Sequence, residues 1–332
     1  MKKTVFFVAF LCAILSISCD NSDDSSNIQP LAIDDWVEIL DNPAPDDFLV
    51  ITANSSGAVF SIGNNSGDIQ NIGNFTMESE QSLLWPQTIV ATSETIYAVE
   101  YLFNGMQESN LLLYDIATNT TQSFPLVFPT TIEGPQRAIV GLAIDDASNL
   151  IGILDSEFNP SGSTKHLVNI SLEDYSMTEI GISYTEDLIT SMRKLGTNVY
   201  ISTWADGLVV ADLFTNTSTT VNSIVGTRLA QISATELAFM QVFPGPGGFR
   251  PAIIDVNSQT ATPNDERAVI KIKDVFGGSV FVNQTYLNLV FTDDIYFGLL
   301  QTDFSEDKST LTPINSEDVN RDMVIVTTIP VN

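Results

Sequence analysis

Residues 198–224 read NVYISTWADGLVVADLFTNTSTTVNSI and contain one example of the pattern that decides the fold. A short run rich in β-branched and aromatic residues, 198–202, is followed by the triplet Ala211-Asp212-Leu213, a polar turn and a second short run over 219–224. Alternation with a period of two sends the apolar members of the triplet to one face of a strand and the central residue to the other. The pattern predicts a strand that ends in a tight turn, where the central aspartate accepts backbone N–H bonds.

The same apolar–polar–apolar triplet recurs along the chain before turns rich in Asn, Ser and Thr. Its central residues are Ser61, Asp115, Asn169, Asp212, Asp255 and Asp303, at spacings of 54, 54, 43, 43 and 48 residues. Short strand-like runs around the triplets give four strands per unit, which at this period is typical of a propeller blade. The sequence therefore predicts an all-β fold, a six-bladed β-propeller of four-stranded antiparallel blades.

The two ends of the repeat region complement each other. The first triplet has one predicted strand before it, 48–54, and the C-terminal run 323–329 is a strand without a blade of its own. We expect the C-terminal strand to pair into blade one as its innermost strand, because a closed ring leaves no open sheet edge. This predicts a single propeller domain over 33–332. Two segments stay ambiguous: 186–195 could be a helix or a strand, and 268–275 could end blade five or begin blade six.

The period and strand pattern resemble the broad propeller superfamily that includes WD40-like and YVTN-like repeats. The resemblance extends over most of the chain, but there is no Trp-Asp signature, no YVTN tetrapeptide and no sialidase-type Asp box. It implies the propeller architecture and no particular subfamily.

The N-terminus has the pattern of a processed signal. Lys2 and Lys3 precede an apolar run over 4–17, which is shorter than the roughly 20 residues that cross a bilayer. The run ends in Leu15-Ser16-Ile17-Ser18-Cys19, which resembles the lipobox of bacterial lipoproteins, although Ser16 stands where that family usually has leucine. The resemblance implies a signal peptide over 1–18 and lipidation of Cys19.

Residues 19–32 continue as the lipidated cysteine and a polar, acidic tether without apolar periodicity. The stretch DNSDDSSN at 20–27 resembles the acidic export tag of some Gram-negative surface lipoproteins, and a flexible spacer would have the same composition. We therefore expect a cell-envelope protein held to the membrane by its lipid anchor, with the outer membrane and the cell surface as the expected location.

The charge balance restricts the partners. The 332 residues include 41 acidic and 13 basic side chains, a net charge of −28, so nucleic acid is not an expected partner. The cysteines are Cys12 and Cys19, and cleavage before Cys19 leaves no disulfide and no cysteine metal site. Acidic pairs such as Asp145-Asp146 could bind Ca²⁺, but none has the alternating Asp-x-Asp-x-Asp-Gly spacing. We expect no cofactor and no metal site.

Catalytic motifs are sparse. His166 is the single histidine, and the sequence contains no Gly-x-Ser-x-Gly elbow, no P-loop and no Gly-x-Gly-x-x-Gly. Two suitably separated carboxylates suffice for glycoside hydrolysis, and acids are abundant. A carboxylate-based glycan hydrolase or lyase at the central pocket, with or without Ca²⁺, is therefore the alternative to a non-enzymatic function.

Binding is the function that the loops favour. In propellers, the loops between the second and third strands share a face with the connections between blades, and here they are long at 102–109, 156–165 and 244–250. Aromatic side chains and scarce cations on one rim suit an envelope protein or glycan as partner. The predicted ligand-binding residues are Trp85, Tyr101, Phe103, Phe158, Phe243, Phe249 and Arg250. The favoured function is that of a binding or assembly module.

Overall fold

The computed structural model describes residues 37–40, 44–79, 82–102, 109–134, 137–145, 147–157, 163–185, 188–203, 207–242, 248–263, 272–292, 297–306, 308–314 and 321–331. These ranges consist of β-strands and the turns that join them. Within them, no helix has the length and apolarity required to cross a membrane. The predicted signal peptide (1–18) and the tether with Cys19 lie outside the described residues.

The strands follow one another in groups of four. The first strand, β1, is Val37–Ile39. Blade one uses β2 (Phe48–Ala53), β3 (Ala58–Gly63) and β4 (Ile69–Asn74). Blade two contains β5 (Leu83–Ala91), β6 (Thr95–Tyr101), β7 (Ser109–Asp115) and β8 (Thr120–Pro125). Blade three contains β9 (Ala138–Ile144), β10 (Leu150–Asp155), β11 (Lys165–Ile170) and β12 (Met177–Tyr184).

Blade four contains β13 (Ile189–Leu195), β14 (Asn198–Thr203), β15 (Leu208–Asp212) and β16 (Thr217–Val221). Blade five contains β17 (Gly226–Gln231), β18 (Glu236–Val242), β19 (Phe249–Asp255) and β20 (Thr260–Pro263). Blade six contains β21 (Ile272–Val282), β22 (Thr285–Thr292), β23 (Phe297–Asp303) and β24 (Lys308–Ile314), and β25 (Val324–Pro330) ends the chain.

The six sheets form a closed ring. In blades two to six, neighbouring strands pair antiparallel in chain order, and the first strand of each blade is the innermost. Blade one has the order β25-β2-β3-β4, with β25 antiparallel to β2 in a register that places Ile51 opposite Thr327. The innermost strands β25, β5, β9, β13, β17 and β21 each contact the next one around the ring. The six-bladed propeller and its closure by the C-terminal strand are confirmed.

Three local features refine the prediction. Within segment 186–195, Ile189–Leu195 form strand β13 rather than a helix, and Ile272 begins β21, so the described part of segment 268–275 belongs to blade six. Strand β1 was not expected from the repeat pattern, and it runs parallel to β24 with Val37 opposite Ser309. This fifth strand covers the outer edge of blade six, which would otherwise present unpaired backbone groups.

The core lies between the blades. One cluster joins Ile51 of blade one to Ile96 and Leu112 of blade two, and a larger cluster joins Leu111 of blade two to Val168 of blade three and onward to blade four. Each blade buries its apolar faces against its two neighbours, so the blades stabilise one another.

The aspartates of the repeated triplets end the third strands. In blade four, Asp212 Oδ1 accepts hydrogen bonds from the backbone N–H groups of Phe214 (2.8 Å) and Thr215 (3.2 Å). Asp115, Asp255 and Asp303 accept backbone N–H bonds in their own turns in the same way. These hydrogen bonds lower the pKa of the carboxyl groups of Asp115, Asp212 and Asp255. The pKa of Asp303 is lowered by the hydroxyl and the backbone N–H of Ser305. The predicted structural role of these aspartates is therefore confirmed.

Blades one and three achieve the same turn with other residues. In blade one, Asp46 Oδ1 accepts hydrogen bonds from the N–H groups of Asn65 (2.7 Å) and Ser66 (2.9 Å). The triplet residue Ser61 lies inside β3, two residues before the end of the strand. In blade three, Ser171 Oγ accepts a hydrogen bond from the N–H of Glu173 (3.2 Å) in the turn after Asn169. A carboxylate or hydroxyl oxygen at the turn is the common element, supplied locally or from a neighbouring segment.

Candidate functional site

Each innermost strand begins at the face that also carries the connection between the second and third strands. In blade two, Leu83 at the start of β5 lies opposite Tyr101 at the end of β6, and Tyr101 lies opposite Ser109 at the start of β7. Blades three and five have the same arrangement. We call this side the front face, and the side where the innermost strands end the back face. The connections between second and third strands in these blades therefore lie on one face, as expected from the sequence.

In blade two, Trp85 and Tyr101 are neighbours near the front face. Their rings lie 5.4 Å apart between centroids, at an angle of 45°. Tyr101 is buried in the core cluster that joins blades two, three and four, and this burial raises the pKa of its hydroxyl. Trp85 is partly exposed, so it is the member of the pair that a partner could contact.

Phe249 and Arg250 lie in blade five, at the start of β19. Phe249 is partly exposed and packs against the cluster between blades five and six. The Nε of Arg250 donates to Gln241 Oε1 (2.9 Å). Blades two and five are three positions apart in a ring of six, so Trp85 and Phe249 lie on opposite sides of the front face. The remaining predicted rim residues, Phe103, Phe158 and Phe243, lie outside the described residues.

A channel follows the axis of the ring. Its cavity has a volume of about 480 Å³ and is lined by residues of all six innermost strands. The lining reaches the back face at Thr92 and at Ser93, which is exposed. A volume of this size lies in the range of small-molecule sites, about 300–1,000 Å³.

Cations are concentrated in this channel. Arg193 of β13 lines it and donates from its guanidinium to the main-chain carbonyls of Ser279 on β21 (2.8 Å) and Met192 (3.3 Å). Burial lowers the pKa of Arg193, although an arginine remains protonated at physiological pH. Next to it, Lys194 Nζ donates to Asp145 Oδ2 at 2.7 Å. Burial raises the pKa of Asp145, but hydrogen bonds from Lys194 and Asn149 outweigh it and lower this pKa to about 2.

Arg228 joins three innermost strands. It lies at an irregularity of the β17–β18 pairing and has a φ of 64°, in the left-handed region that is unfavourable for side chains other than glycine. Its guanidinium donates from Nε (3.1 Å) and a second nitrogen (2.6 Å) to Val275 O, and from the third nitrogen to Thr190 O (2.9 Å). Ser279 Oγ (2.7 Å) and the Tyr286 hydroxyl donate to the carbonyl of Arg228 itself. The bulge therefore turns Arg228 towards β13 and β21.

A small side cavity of about 40 Å³ lies near the front end of the channel, bordered by Trp85, Gln87 and Lys165. Lys165 is buried, and the contacts of its Nζ with described residues are long, to the backbone carbonyl (3.4 Å) and the hydroxyl (3.5 Å) of Ser163. That hydroxyl donates to the buried Asp155 (2.9 Å), which lies opposite Lys165 in the β10–β11 pairing. A cavity of this size accommodates about one water molecule. The group is therefore a buried polar bridge of blade three rather than a ligand site.

No family model matches the chain. No curated protein matches it. Solved structures with a similar fold include the crystal structure of a puromycin hydrolase, with a TM-score of 0.48 and 9% sequence identity. A mutant of the same enzyme complexed with PGG matches with a TM-score of 0.49 and 8% identity. Each alignment covers 80% of this chain and 43% of the matched chain, so this chain aligns with less than half of either enzyme chain. The similarity concerns the fold.

Asp145 is the single carboxylate among the described residues that line the cavity, and it is paired with Lys194. His166 lies outside the cavity lining, 3.2 Å from Glu179 Oε1 on the neighbouring strand. Over the described part of the chain, no group of three or more His, Cys, Asp or Glu side chains could hold a metal ion. The described lining offers hydrogen-bond donors and acceptors to a polar ligand.

The channel cations are not among the residues predicted from the sequence. A signal for them exists in the distribution of charge: the chain has only 13 basic residues, and Arg193, Lys194 and Arg228 fall on β13 and β17, the first strands of two consecutive blades. First strands of propeller blades face the axis, so cations there are placed around one channel.

Proposed function

We propose that this protein is a lipid-anchored binding module of the cell envelope, which holds a protein or glycan partner on the front face of its propeller. The signal peptide would be residues 1–18 and the acylated residue Cys19. The segment between Cys19 and the start of β1 at Val37 would span at most about 60 Å when extended. Such a tether would let the propeller reach a partner beyond the membrane surface.

The arrangement of the front face is the observation that supports binding. The connections between second and third strands open there beside the starts of the innermost strands. The partly exposed Trp85 and the exposed Leu83 (43% exposed) offer apolar surface in blade two, and Phe249 and the exposed Val242 (38%) offer it in blade five. Apolar and aromatic anchors separated by polar surface are typical of contact sites for large partners, because each anchor fills a pocket on the partner.

The hydrolase alternative has less support. Two-carboxylate hydrolysis requires a general acid and a second carboxylate on opposite sides of the scissile bond. The described lining of the channel supplies Asp145 alone, held as an anion by Lys194. A carboxylate that is deprotonated at neutral pH is a poor general acid.

A capture experiment with full-length protein tests the front face. Trp85→Ala and Phe249→Ala, separately and together, are expected to reduce the recovery of crosslinked partners from intact cells. The matched control is Phe214→Ala, because Phe214 is 84% exposed and lies in the back-face turn after β15. Thermal unfolding of each variant separates loss of contact from loss of fold. Equal recovery with the folded double variant would refute the front-face contact.

The anchor is tested separately. Cys19→Ser is expected to abolish labelling with a radioactive fatty acid and to move the protein from the membrane fraction to the soluble fraction. Retention of both the label and the membrane fraction in this variant would refute lipidation at Cys19, without bearing on the front face.

A further inference from the structure

The channel contains one cation whose charge is not balanced by the groups around it. Arg193 directs its described hydrogen bonds to two main-chain carbonyls, Met192 O and Ser279 O. Among the described residues, no carboxylate lies within ion-pair distance of Arg193, since Asp145 pairs with Lys194 instead. The described charges of the lining, one carboxylate, one ammonium and one guanidinium, therefore sum to one positive charge.

The surroundings of the Arg193 guanidinium favour the binding of an anionic group. A guanidinium has five N–H donors in a planar fork, and the two hydrogen bonds to carbonyls leave others for a further acceptor. A carboxylate matches the geometry of that fork and forms a charge-assisted hydrogen bond with it. Because Arg193 lines a partly enclosed cavity, such a bond is screened less than one on the surface.

The lining also contains polar side chains with accessible surface. Ser191 of β13 and Thr327 of β25 are partly exposed, and Gln231 at the end of β17 is exposed. Hydroxyl and amide groups of this kind form hydrogen bonds with the hydroxyl groups of a ligand.

We propose that the channel binds a small monocarboxylate that also carries hydroxyl groups, with its carboxylate on Arg193 and its hydroxyl groups among the polar side chains of the lining. The cavity of about 480 Å³ accommodates a sugar acid, and its opening at Ser93 on the back face would admit the ligand. The single excess positive charge favours a monoanion. Polyanions are disfavoured, because the net charge of −28 repels them before they reach the channel. This site is distinct from the proposed front-face contact.

The test uses the full chain with four named probes: glucuronate, galacturonate, gluconate and lactate. Ligand-observed NMR at millimolar concentration detects binding, and titration calorimetry measures the affinity of any probe that binds. We expect at least one probe to bind, and glucose, which has the hydroxyls of glucuronate without its carboxylate, not to bind. Arg193→Gln is expected to weaken binding by about tenfold or more, the effect of losing a charge-assisted hydrogen bond.

Controls separate recognition from folding. Lys308→Gln removes an exposed cation on the outer strand β24 and is expected to leave binding unchanged. Arg193→Lys retains the positive charge but loses the planar fork, so it is expected to bind more weakly than the wild type and to fold even if Arg193→Gln does not. Binding of none of the four probes, equal binding of glucose and glucuronate, or unchanged affinity in the folded Arg193 variants would each overturn the proposal. Unchanged recovery of crosslinked partners with the folded Trp85→Ala, Phe249→Ala double variant, together with retained probe binding, would refute only the proposed function.

Discussion

The turns that end the third strands and the central channel use charge in opposite ways. The turns carry carboxylates, and Asp115, Asp212, Asp255 and Asp303 repeat from blade to blade with the same backbone contacts. The innermost strands carry cations, and these come from β13, whose Arg193 and Lys194 line the channel, and from β17, without repetition in the other blades. The repeated charge builds the fold, whereas the unrepeated charge distinguishes one sector of the ring.

The geometry of the ring explains this contrast. Turns lie far apart at the periphery, so an aspartate can serve each blade without repelling its equivalents. Equivalent positions on the six innermost strands converge on one axis, where six like charges would repel strongly. A charge at such a position can therefore occur in only a few blades, and it must be held by neighbours. Arg228 and Arg193 meet this requirement by donating to main-chain carbonyls.

The largest effect is expected at Arg228. Arg228→Ala removes the donors to Val275 O and Thr190 O, and we expect the free energy of unfolding to fall by about 3 kcal/mol, because buried carbonyls lose charged partners. Chemical denaturation with fluorescence detection measures the change. A loss below about 0.5 kcal/mol, the usual effect of a surface substitution, would show that Arg228 does not join the blades.

A matched variant isolates the backbone contribution at the same position. Arg228 has a φ of 64°, which glycine adopts without the steric cost that alanine has there. Arg228→Gly is therefore expected to be more stable than Arg228→Ala by about 1 kcal/mol, although both lack the guanidinium. Equal stability of the two variants would mean that the bulge relaxes when the side chain is removed.

An intermediate effect is expected for the ion pair at the back end of the channel. The pKa of Asp145 is lowered from 3.8 to about 2, so its contribution to stability is complete above pH 3.8 and is lost as the pH falls towards 2. Asp145→Asn is expected to lower the free energy of unfolding at pH 7 by about 1 kcal/mol. The difference from the wild type should disappear near pH 2. A difference that stays constant with pH would mean that the charge of Asp145 is not the cause.

The sequence predicts the repeated part of this molecule well. The triplets predicted six blades and the turn aspartates, because the third strand of every blade has to end in a turn. The unpaired C-terminal run predicted the closure of the ring. Strand β1 was not predictable in this way, since three residues against an outer edge have no partner in the repeat pattern.

The channel could be predicted less well. Period-two alternation shows that Arg193 and Ser191 lie on one face of β13, but it does not show that Ser279 lies across the axis. The hydrogen bond from Arg193 to Ser279 O joins residues 86 positions apart in the chain. Similarly, Trp85 and Phe249 were expected on one rim, and only the ring geometry shows that they occupy opposite sides of it.

The smallest effect is expected at the turns, where the comparison can be sharpened with a matched pair of substitutions. Asp255 Oδ1 accepts from the N–H groups of Asn257 and Ser258, both at 2.9 Å, and an asparagine side-chain oxygen can accept the same bonds. Asp255→Asn is therefore expected to retain nearly the wild-type melting temperature at pH 7, and Asp255→Ala to lower it slightly. The hydrogen bonds lower the pKa of the Asp255 carboxyl group in the folded protein. Any greater stability of the protein with aspartate than with asparagine should therefore be present at neutral pH and vanish as the pH falls below this lowered pKa. Scanning calorimetry at neutral and acidic pH measures both differences.

Because the turn is peripheral, neither substitution should alter the binding of a carboxylate in the channel. A change in that binding would mean that the turns and the channel are coupled and that the repeated and unrepeated charges do not act independently.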